Sequence, residues 1–344
     1  MIENLRSVQI IPSAKENEAV LLRMDLDLDV PGPDYSRLIK SIPTIKLLIE
    51  KGYIVIITGH KGRPKSKGFE KDLSLKLVYL KLIEILAKNS IQTFSTFIED
   101  ITNKESITQA LLTNKIIFAE NLRFDPREKD GDTSLFSVVK FCSYYINDAF
   151  AVAHRNDASI KIHQEFGLKT YYGLDFVKEI KKMNFLKQQK GWLVVLGGAK
   201  EDKLTHLTEI ASKSQAVFIG GKLPSYHQKF GNIPNVFWAE LSKDGYDLSN
   251  DDIFTLERLI TFHPTIIWAG ALGWYENGYK NGTIKTANAI AKSNATYKAI
   301  AGGDTAASII DLGLKDNIDD IYSGGGVFLE LLTTDDLPAW TNSL

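Results

Sequence analysis

The chain has 344 residues, 44% hydrophobic and 24% charged, which is enough to bury a sizeable core and excludes disorder; two domains are expected. Its formal charge of -1 at pH 7 removes any global electrostatic case for nucleic acid or an acidic membrane, leaving only a local basic site open. The single cysteine, Cys142, excludes a disulfide framework and a cysteine-ligated zinc site and fits a reducing compartment. Glu3, Arg6, Lys15, Glu16 and Glu18 break up the N-terminal apolar residues, and no apolar run approaches the roughly 18 residues of a membrane helix, so a soluble cytoplasmic protein is expected.

In chain order, Val20 to Met24, Ile54 to Ile57 and Ile116 to Ala119 are short apolar runs of the kind buried on both faces of a parallel sheet. Helical spacing separates them: Ile42, Ile45, Leu48 and Ile49, then Leu75, Val78, Leu82 and Leu86. The alternation returns with Trp192 to Leu196, Ala216 to Ile219, Thr265 to Trp268 and Tyr297 to Ala301. Between the two series, Phe176, Ile180, Met183 and Leu186 form one face of a linking helix over 175–189. The expected fold is therefore α/β, with two Rossmann-like domains of parallel strands at 1–174 and 190–330, the linking helix as hinge, and a packed tail over 331–344.

The two halves differ in chemistry. Seven of the eight arginines precede residue 156, whereas 18 of the 25 glycines fall at or after Gly173. Arginine suits forked recognition of carboxylate and phosphate, and glycine lets backbone approach a ligand closely.

In the first half, alternation puts Asp25, Asp27 and Asp29 on one side of an extended segment, a solvated strand edge being the plain alternative. Thr58 to Pro64 follows a buried strand, where ligand loops sit in α/β sheets, and supplies His60 and Arg63. Glu120 to Phe124, with Arg123, and Asn147 to Phe150, leading to His154 and Arg155, follow strands in the same way. With Arg37 these groups suffice for a small, multiply charged anion.

In the second half, Gly197, Gly198 and Lys200 follow a strand and precede a polar helix start, the arrangement in which backbone N–H groups hold phosphate with a lysine as counter-charge. Walker A spacing is absent. Gly220 with Gly221, and Gly324 with Gly325, repeat the strand-to-glycine step. Gly302 and Gly303 repeat it with Asp304 and Thr305, where Mg²⁺ could bind through one carboxylate and nucleotide phosphates. A nicotinamide dehydrogenase also alternates strands and helices, but no Gly-x-Gly-x-x-Gly follows an early strand.

The ordered set His60 to Pro64, Glu120 to Phe124, Asn147 to Phe150, His154-Arg155, Gly197 to Lys200, Gly270 with Gly273 and Glu276, Gly302 to Thr305 and Gly324 to Gly326 resembles the phosphoglycerate kinase family nearly end to end. The resemblance implies an enzyme that exchanges a phosphoryl group between 1,3-bisphosphoglycerate and ADP. It implies that Arg37, six residues before Pro43, is the catalytic arginine and that His60, Arg63, Arg123 and Arg155 hold the phosphoglycerate. It likewise implies that Lys200 and Asp304 serve the nucleotide phosphates and Mg²⁺, with Lys203 in support, and that Glu276 serves the ribose. The expected partners are small-molecule substrates, the expected state is a monomer, and the tail near Leu337-Pro338 resembles a return to the first domain.

This chain departs from the family at several positions. The family's Asp-Phe-Asn before Val-Pro becomes Asp25-Leu26-Asp27-Leu28-Asp29, which fits in two registers, and either one exchanges an amide for a carboxylate that repels an anion unless protonated or turned away. Lys203 comes one residue early. Trp268-Ala269-Gly270-Ala271 lacks a side-chain amide, Lys222 and Ala301 stand where glycines are usual, and the stretch from Gly221 to Trp268 is short. These changes define the alternative reading, a catalytically impaired relative kept for binding or regulation.

Overall fold

The computed structural model describes residues 5–65 and 68–340, so the last four tail residues lie outside the described residues. In chain order the first elements are β1 (Ala19–Met24), α1 (Ser36–Glu50), β2 (Ile54–Thr58), α2 (Lys76–Lys88), β3 (Ser95–Ile98) and α3 (Lys104–Thr113). They continue with β4 (Ile116–Ala119), α4 (Pro126–Asp130), β5 (Cys142–Asp148), α5 (Ala158–Phe166), β6 (Lys169–Tyr172) and α6 (Leu174–Gln188). The second series is β7 (Trp192–Leu196), α7 (Leu207–Lys213), β8 (Ala216–Ile219), α8 (His227–Phe230), β9 (Val236–Trp238) and α9 (Asn250–Phe262). It ends with β10 (Thr265–Ala269), α10 (Asn281–Lys292), β11 (Tyr297–Ala301), α11 (Gly303–Asp311), β12 (Asp320–Tyr322) and α12 (Gly325–Thr333).

The chain divides into two units, Met1–Ile180 with Asp336–Leu344, and Lys181–Asp335; the division falls inside α6. Each holds a six-stranded parallel sheet, ordered β3-β4-β2-β1-β5-β6 in the first and β12-β11-β10-β7-β8-β9 in the second. Both orders reverse direction at one point, between β1 and β5 and between β7 and β10, and such switch points open a crevice at the carboxyl ends of the strands.

The apolar runs form strands because both faces are covered. All six residues of β1 and all five of β2, β7 and β10 are buried. Each fully buried Val, Leu or Ile contributes about 1.5–3 kcal/mol. On α1 the predicted Ile42, Ile45 and Leu48 are buried, and on α2 Val78, Leu82 and Leu86. The edge strands β3 and β9 are mostly half-exposed, and their apolar runs, Phe97-Ile98 and Val236 to Trp238, are too short for periodicity to register.

The tail packs as a buried segment on the first unit. Leu337, Ala339 and Trp340 are buried, Ala339 N–H donates to the Ala153 carbonyl at 3.1 Å, and the Tyr172 hydroxyl donates to the Ala339 carbonyl at 3.0 Å.

The start of α6 docks on the end of β5 through Asp148. This residue is buried, and its Oδ1 accepts the Phe176 N–H at 3.2 Å. Burial, with the nearby Asp175 carboxylate, pushes the Asp148 carboxyl up to about 7, against hydrogen bonds from Phe176, Thr44 and Ser41. A carboxyl raised in the folded state above its ordinary value of 3.8 loses stability as pH rises through the window from 3.8 to about 7. Asp148→Asn removes that loss. The melting temperature of the variant relative to the parent is therefore expected to rise between pH 5 and pH 8, by an amount on the order of a few kcal/mol in stability. Parallel melting curves at the two pH values would exclude an ionisation at Asp148.

Candidate active-site loops in the two units

In the first unit, loops at the carboxyl ends of β1, β2, β4 and β5 lie along one edge of the sheet. The three aspartates after β1 are not a bare acidic edge. Asp25 accepts both bonds from Arg37 Nη1, at 2.8 and 3.0 Å, from the first turn of α1. Asp27 Oδ1 accepts the Gly62 N–H at 2.8 Å, and Asp29 pairs with Lys61 at 3.0 Å. Each carboxylate has its own donor, so the repulsion expected of three neighbouring anions is met pairwise.

The loops after β2 and β4 are tied together by Asn121. Its Oδ1 accepts the Lys61 and Arg123 N–H groups at 3.2 and 3.1 Å, and its Nδ2 donates to the Lys61 and Leu73 carbonyls. Glu120 accepts from the Ser74 hydroxyl and from the Leu75 and Asn121 N–H groups. Arg123 is buried and committed within the protein, donating to the Gly62 carbonyl at 2.6 Å and to Asp157 at 3.4 Å. Arg63 is exposed on the loop after β2 and makes no hydrogen bond or ion pair among the described residues. His154 and Arg155 are half-buried after the turn Phe150–Val152.

At the centre of this edge is His60, buried between arginines. Arg23 Nη2 lies 2.6 Å from its Nδ1 and Arg155 Nη1 3.3 Å from its Nε2. Burial, then the Arg23, Arg123 and Arg155 charges, hold the imidazole well below its usual range, which favours the uncharged ring. His60, Glu128 and Asp157 bring ligand atoms within 4.8 Å of one another. Their oxygens are taken by Ser159, Arg123 and Lys129, and both His60 nitrogens face guanidinium, which is chemistry for an anion nearby and not for a cation. Arg23, Glu128, Asp157 and Ser159 escape the sequence reading, although an arginine inside an otherwise apolar buried strand is itself a signal.

In the second unit the glycine loops follow β7, β8, β10, β11 and β12, which are parallel neighbours. Three of the loops are stacked backbone on backbone. A Cβ on Gly197 would lie 2.4 Å from the Gly270 and Ala271 carbonyl oxygens, and one on Gly221 would lie 2.6 Å from the Gly198 nitrogen. Gly220 faces Leu272 instead, at 2.7 Å from a built Cβ. Lys203 reaches into this stack and donates to the Gly197 carbonyl at 2.7 Å; burial lowers its ammonium below the usual range, against the Asp304 and Asp202 charges. Coming one residue early, the lysine still turns inward.

Lys200 is exposed just before the turn Glu201–Leu204. Gly302 and Gly324 are the capping residues of α11 and α12, and a Cβ on Gly325 would lie 3.5 Å from Gly302 Cα, so the two helix N-termini adjoin. Gly303 and Asp304 are exposed on the first turn of α11, and the Asp304 carboxylate takes no hydrogen bond or ion pair among the described residues. Thr305, in contrast, is buried, and its hydroxyl accepts the Gly270 N–H at 2.8 Å; it braces the loops from within. Glu276 is exposed on the turn Tyr275–Asn277. Next to that turn, Trp274 and Tyr246 stand half-exposed with ring centroids 5.4 Å apart, a pairing not foreseen from sequence.

The family model for phosphoglycerate kinase matches residues 12–233 and 228–335, and thus spans every loop just described. Among curated relatives, "Phosphoglycerate kinase" of Rhodococcus jostii is 29% identical over 96% of this chain and 96% of its own length. That of Leptospira biflexa is 30% identical over 94% of each. The Rhodococcus alignment runs over 396 positions against a chain of 344, so that relative carries segments this chain lacks. Among solved structures, phosphoglycerate kinase from Coxiella burnetii superposes with a TM-score of 0.74 at 25% identity, covering 97% of both chains. The enzyme from Pyrococcus horikoshii reaches 0.78 at 23% identity over the same share and supports the fold. With both sheets and their loops inside the matched segments, the chain belongs to the phosphoglycerate kinase family.

Proposed function

We propose that the protein catalyses reversible phosphoryl transfer between 1,3-bisphosphoglycerate and ADP, giving 3-phosphoglycerate and ATP, in glycolysis and gluconeogenesis. The observation that carries this is the family match across both units, joined to an arginine-rich edge in one and a glycine-rich edge in the other. An oxygen of the ADP β-phosphate forms the new P–O bond as the bond to the 3-phosphoglycerate carboxylate breaks. No proton has to move to or from the protein, so catalysis is positioning and charge stabilisation.

In this assignment the first unit takes the acyl phosphate. Arg63 and Arg155 offer donors to the anion, His60 offers a ring N–H, and Arg123, Asp27 and Asp29 shape the loop around Gly62 and Lys61. Arg37, aimed by Asp25, stabilises charge on the transferring group. In the second unit the stacked glycine loops and the N-termini of α11 and α12 present N–H groups to the nucleotide phosphates, with Lys200 and Lys203 as counter-charges. The donor chemistry at Asp304 suits Mg²⁺, a hard cation that takes carboxylate and phosphate oxygens, because the carboxylate is exposed and uncommitted beside those N-termini. Bound there, the ion would neutralise phosphate charge. Glu276 is assigned to the ribose, and the enzyme is assigned to the cytoplasm as a monomer. No helix among the described residues is long and apolar enough to cross a membrane.

The alternative, a binding protein with a decayed nucleotide site, rests on Ala269, Ala271, Lys222 and the short stretch before Trp268. Relatives named as kinases along 94–96% of the chain do not favour it. A coupled assay of ATP formation from 1,3-bisphosphoglycerate, with ADP and GDP in parallel and Mg²⁺ present or chelated, tests the assignment. Turnover that needs Mg²⁺ is expected. Silence with both nucleotides would overturn the kinase reading in favour of the binding protein.

A further inference from the structure

A chain of hydrogen bonds with fixed direction runs beneath the anion edge of the first unit. Arg23 lies in β1 with none of its surface exposed. Its Nε donates to Ser159 Oγ at 2.9 Å, its Nη1 donates to the Met24 carbonyl, and its Nη2 faces His60 Nδ1 at 2.6 Å. A guanidinium has five donors and no acceptor and does not deprotonate in proteins. Each of these bonds therefore has only one possible polarity.

On one side, Ser159 Oγ accepts from Arg23 and must turn its own hydrogen elsewhere. Glu128 Oε1 receives it at 2.7 Å, while Glu128 Oε2 accepts the Ser159 N–H at 3.0 Å. On the other side, His60 Nδ1 must present a lone pair, because an N–H there would point at another N–H. Since a neutral imidazole carries one hydrogen, it sits on Nε2. The 3.3 Å approach of Arg155 Nη1 to Nε2 then joins two donors and makes no hydrogen bond.

We propose that Arg23 is a positioning residue that locks His60 as its Nε2–H tautomer, so that His60 gives one N–H to an anionic oxygen of the phosphoglycerate and leaves the Arg155 guanidinium unbound for the same anion. The ligand in this statement rests on the proposed function; the lock itself does not. The basicity of His60, lowered by burial and by the Arg23 charge, agrees with it, since protonation would remove the Nδ1 lone pair that Arg23 faces. With Nε2 protonated, Arg155 Nη1 and the ring N–H are two donors 3.3 Å apart, and an anionic oxygen set beside them would accept from both.

Long-range ¹H–¹⁵N NMR of the full chain, labelled at its six histidines, reads the tautomer directly in the ligand-free protein, with the His60 signals assigned by their loss in His60→Asn. A single neutral Nε2–H form from about pH 6 to 8 is expected. An Nδ1–H form, or a protonated ring, overturns the proposal without recourse to any Arg23 variant. Arg23→Met is expected to give mixed tautomers and a ring that titrates, with KM for 3-phosphoglycerate raised about ten- to a hundredfold and kcat changed less. Arg23→Lys, which keeps a donor, is expected to restore the tautomer and much of KM. An unchanged His60 spectrum in a folded Arg23→Met overturns the lock. Adding 3-phosphoglycerate to the parent should shift the Nε2 resonance; an active enzyme whose Nε2 ignores the substrate overturns the donation step. An inactive protein with the expected tautomer would instead fail the proposed function and leave the lock supported.

Discussion

Arg37→Ala is expected to lower kcat by about 10²–10³-fold while changing the affinity for 3-phosphoglycerate far less. Arg37 stands on the first turn of α1 with about a third of its side chain exposed, and both Asp25 oxygens hold its Nη1, at 2.8 and 3.0 Å. A guanidinium held in place before the substrate arrives needs no reorganisation when charge shifts onto the transferring group. Interactions that strengthen only in the transition state raise kcat and leave ground-state binding nearly alone. Arg37→Lys keeps the charge but loses the fork and is expected to recover only part of the rate. Arg37 is a third exposed but Asp25 is mostly buried, so losing the guanidinium should lower stability by about 1–3 kcal/mol, and melting beside kinetics separates a catalytic loss from a folding loss. Steady-state kinetics beside calorimetric titration of 3-phosphoglycerate decide the matter. Equal losses in kcat and in binding would make Arg37 a substrate anchor, and an unchanged rate would remove it from the reaction.

The same segment shows what sequence can and cannot reveal. The alternation of Asp25, Leu26, Asp27, Leu28 and Asp29 is visible in the row, and the structure buries both leucines and keeps the carboxylates outward. The donors that meet those carboxylates come from Arg37, Lys61 and Gly62, on α1 and on the loop after β2, and no local pattern predicts such pairings. Interior strands are legible because burial on both faces demands an uninterrupted apolar run, as in Ile54 to Ile57 of β2 and in the whole of β7. Edge strands such as β9 carry no such demand, and β5, though central, mixes Ser143, Asn147 and Asp148 into its run. The same logic hides Arg23. Periodicity reads it as part of an apolar strand, and its charge acquires meaning only when Ser159 and His60 arrive from elsewhere in the chain. Thr305 reverses the pattern: a hydroxyl at a helix start looks free for phosphate, but it holds the Gly270 N–H.

Gly270→Ala should be the most damaging single-methyl change in the second unit. Gly270 sits at φ +105°, a region that disfavours L side chains, and a built Cβ lies 2.1 Å from the Gly197 carbonyl oxygen and 2.4 Å from Lys203 Nζ. The first atom is backbone and cannot swing aside. Relief has to come from separating the loops after β7 and β10, which breaks the bonds from the Gly197 N–H to the Ala269 carbonyl at 2.9 Å and from the Gly198 N–H to the Ala271 carbonyl at 2.7 Å. Strain and lost bonds together are expected to lower stability by roughly 3 kcal/mol or more and to weaken nucleotide binding at least tenfold. Gly278→Ala is the control. Its φ of +90° carries a similar conformational penalty, but nothing lies within 4 Å of its built Cβ, so about 1 kcal/mol and unchanged nucleotide affinity are expected. Melting and titration with ADP on both variants separate the two contributions. If Gly270→Ala behaves like Gly278→Ala, the loops after β7 and β10 are looser than their stacking indicates, and the phosphate cradle has to be sought at the N-termini of α11 and α12 alone.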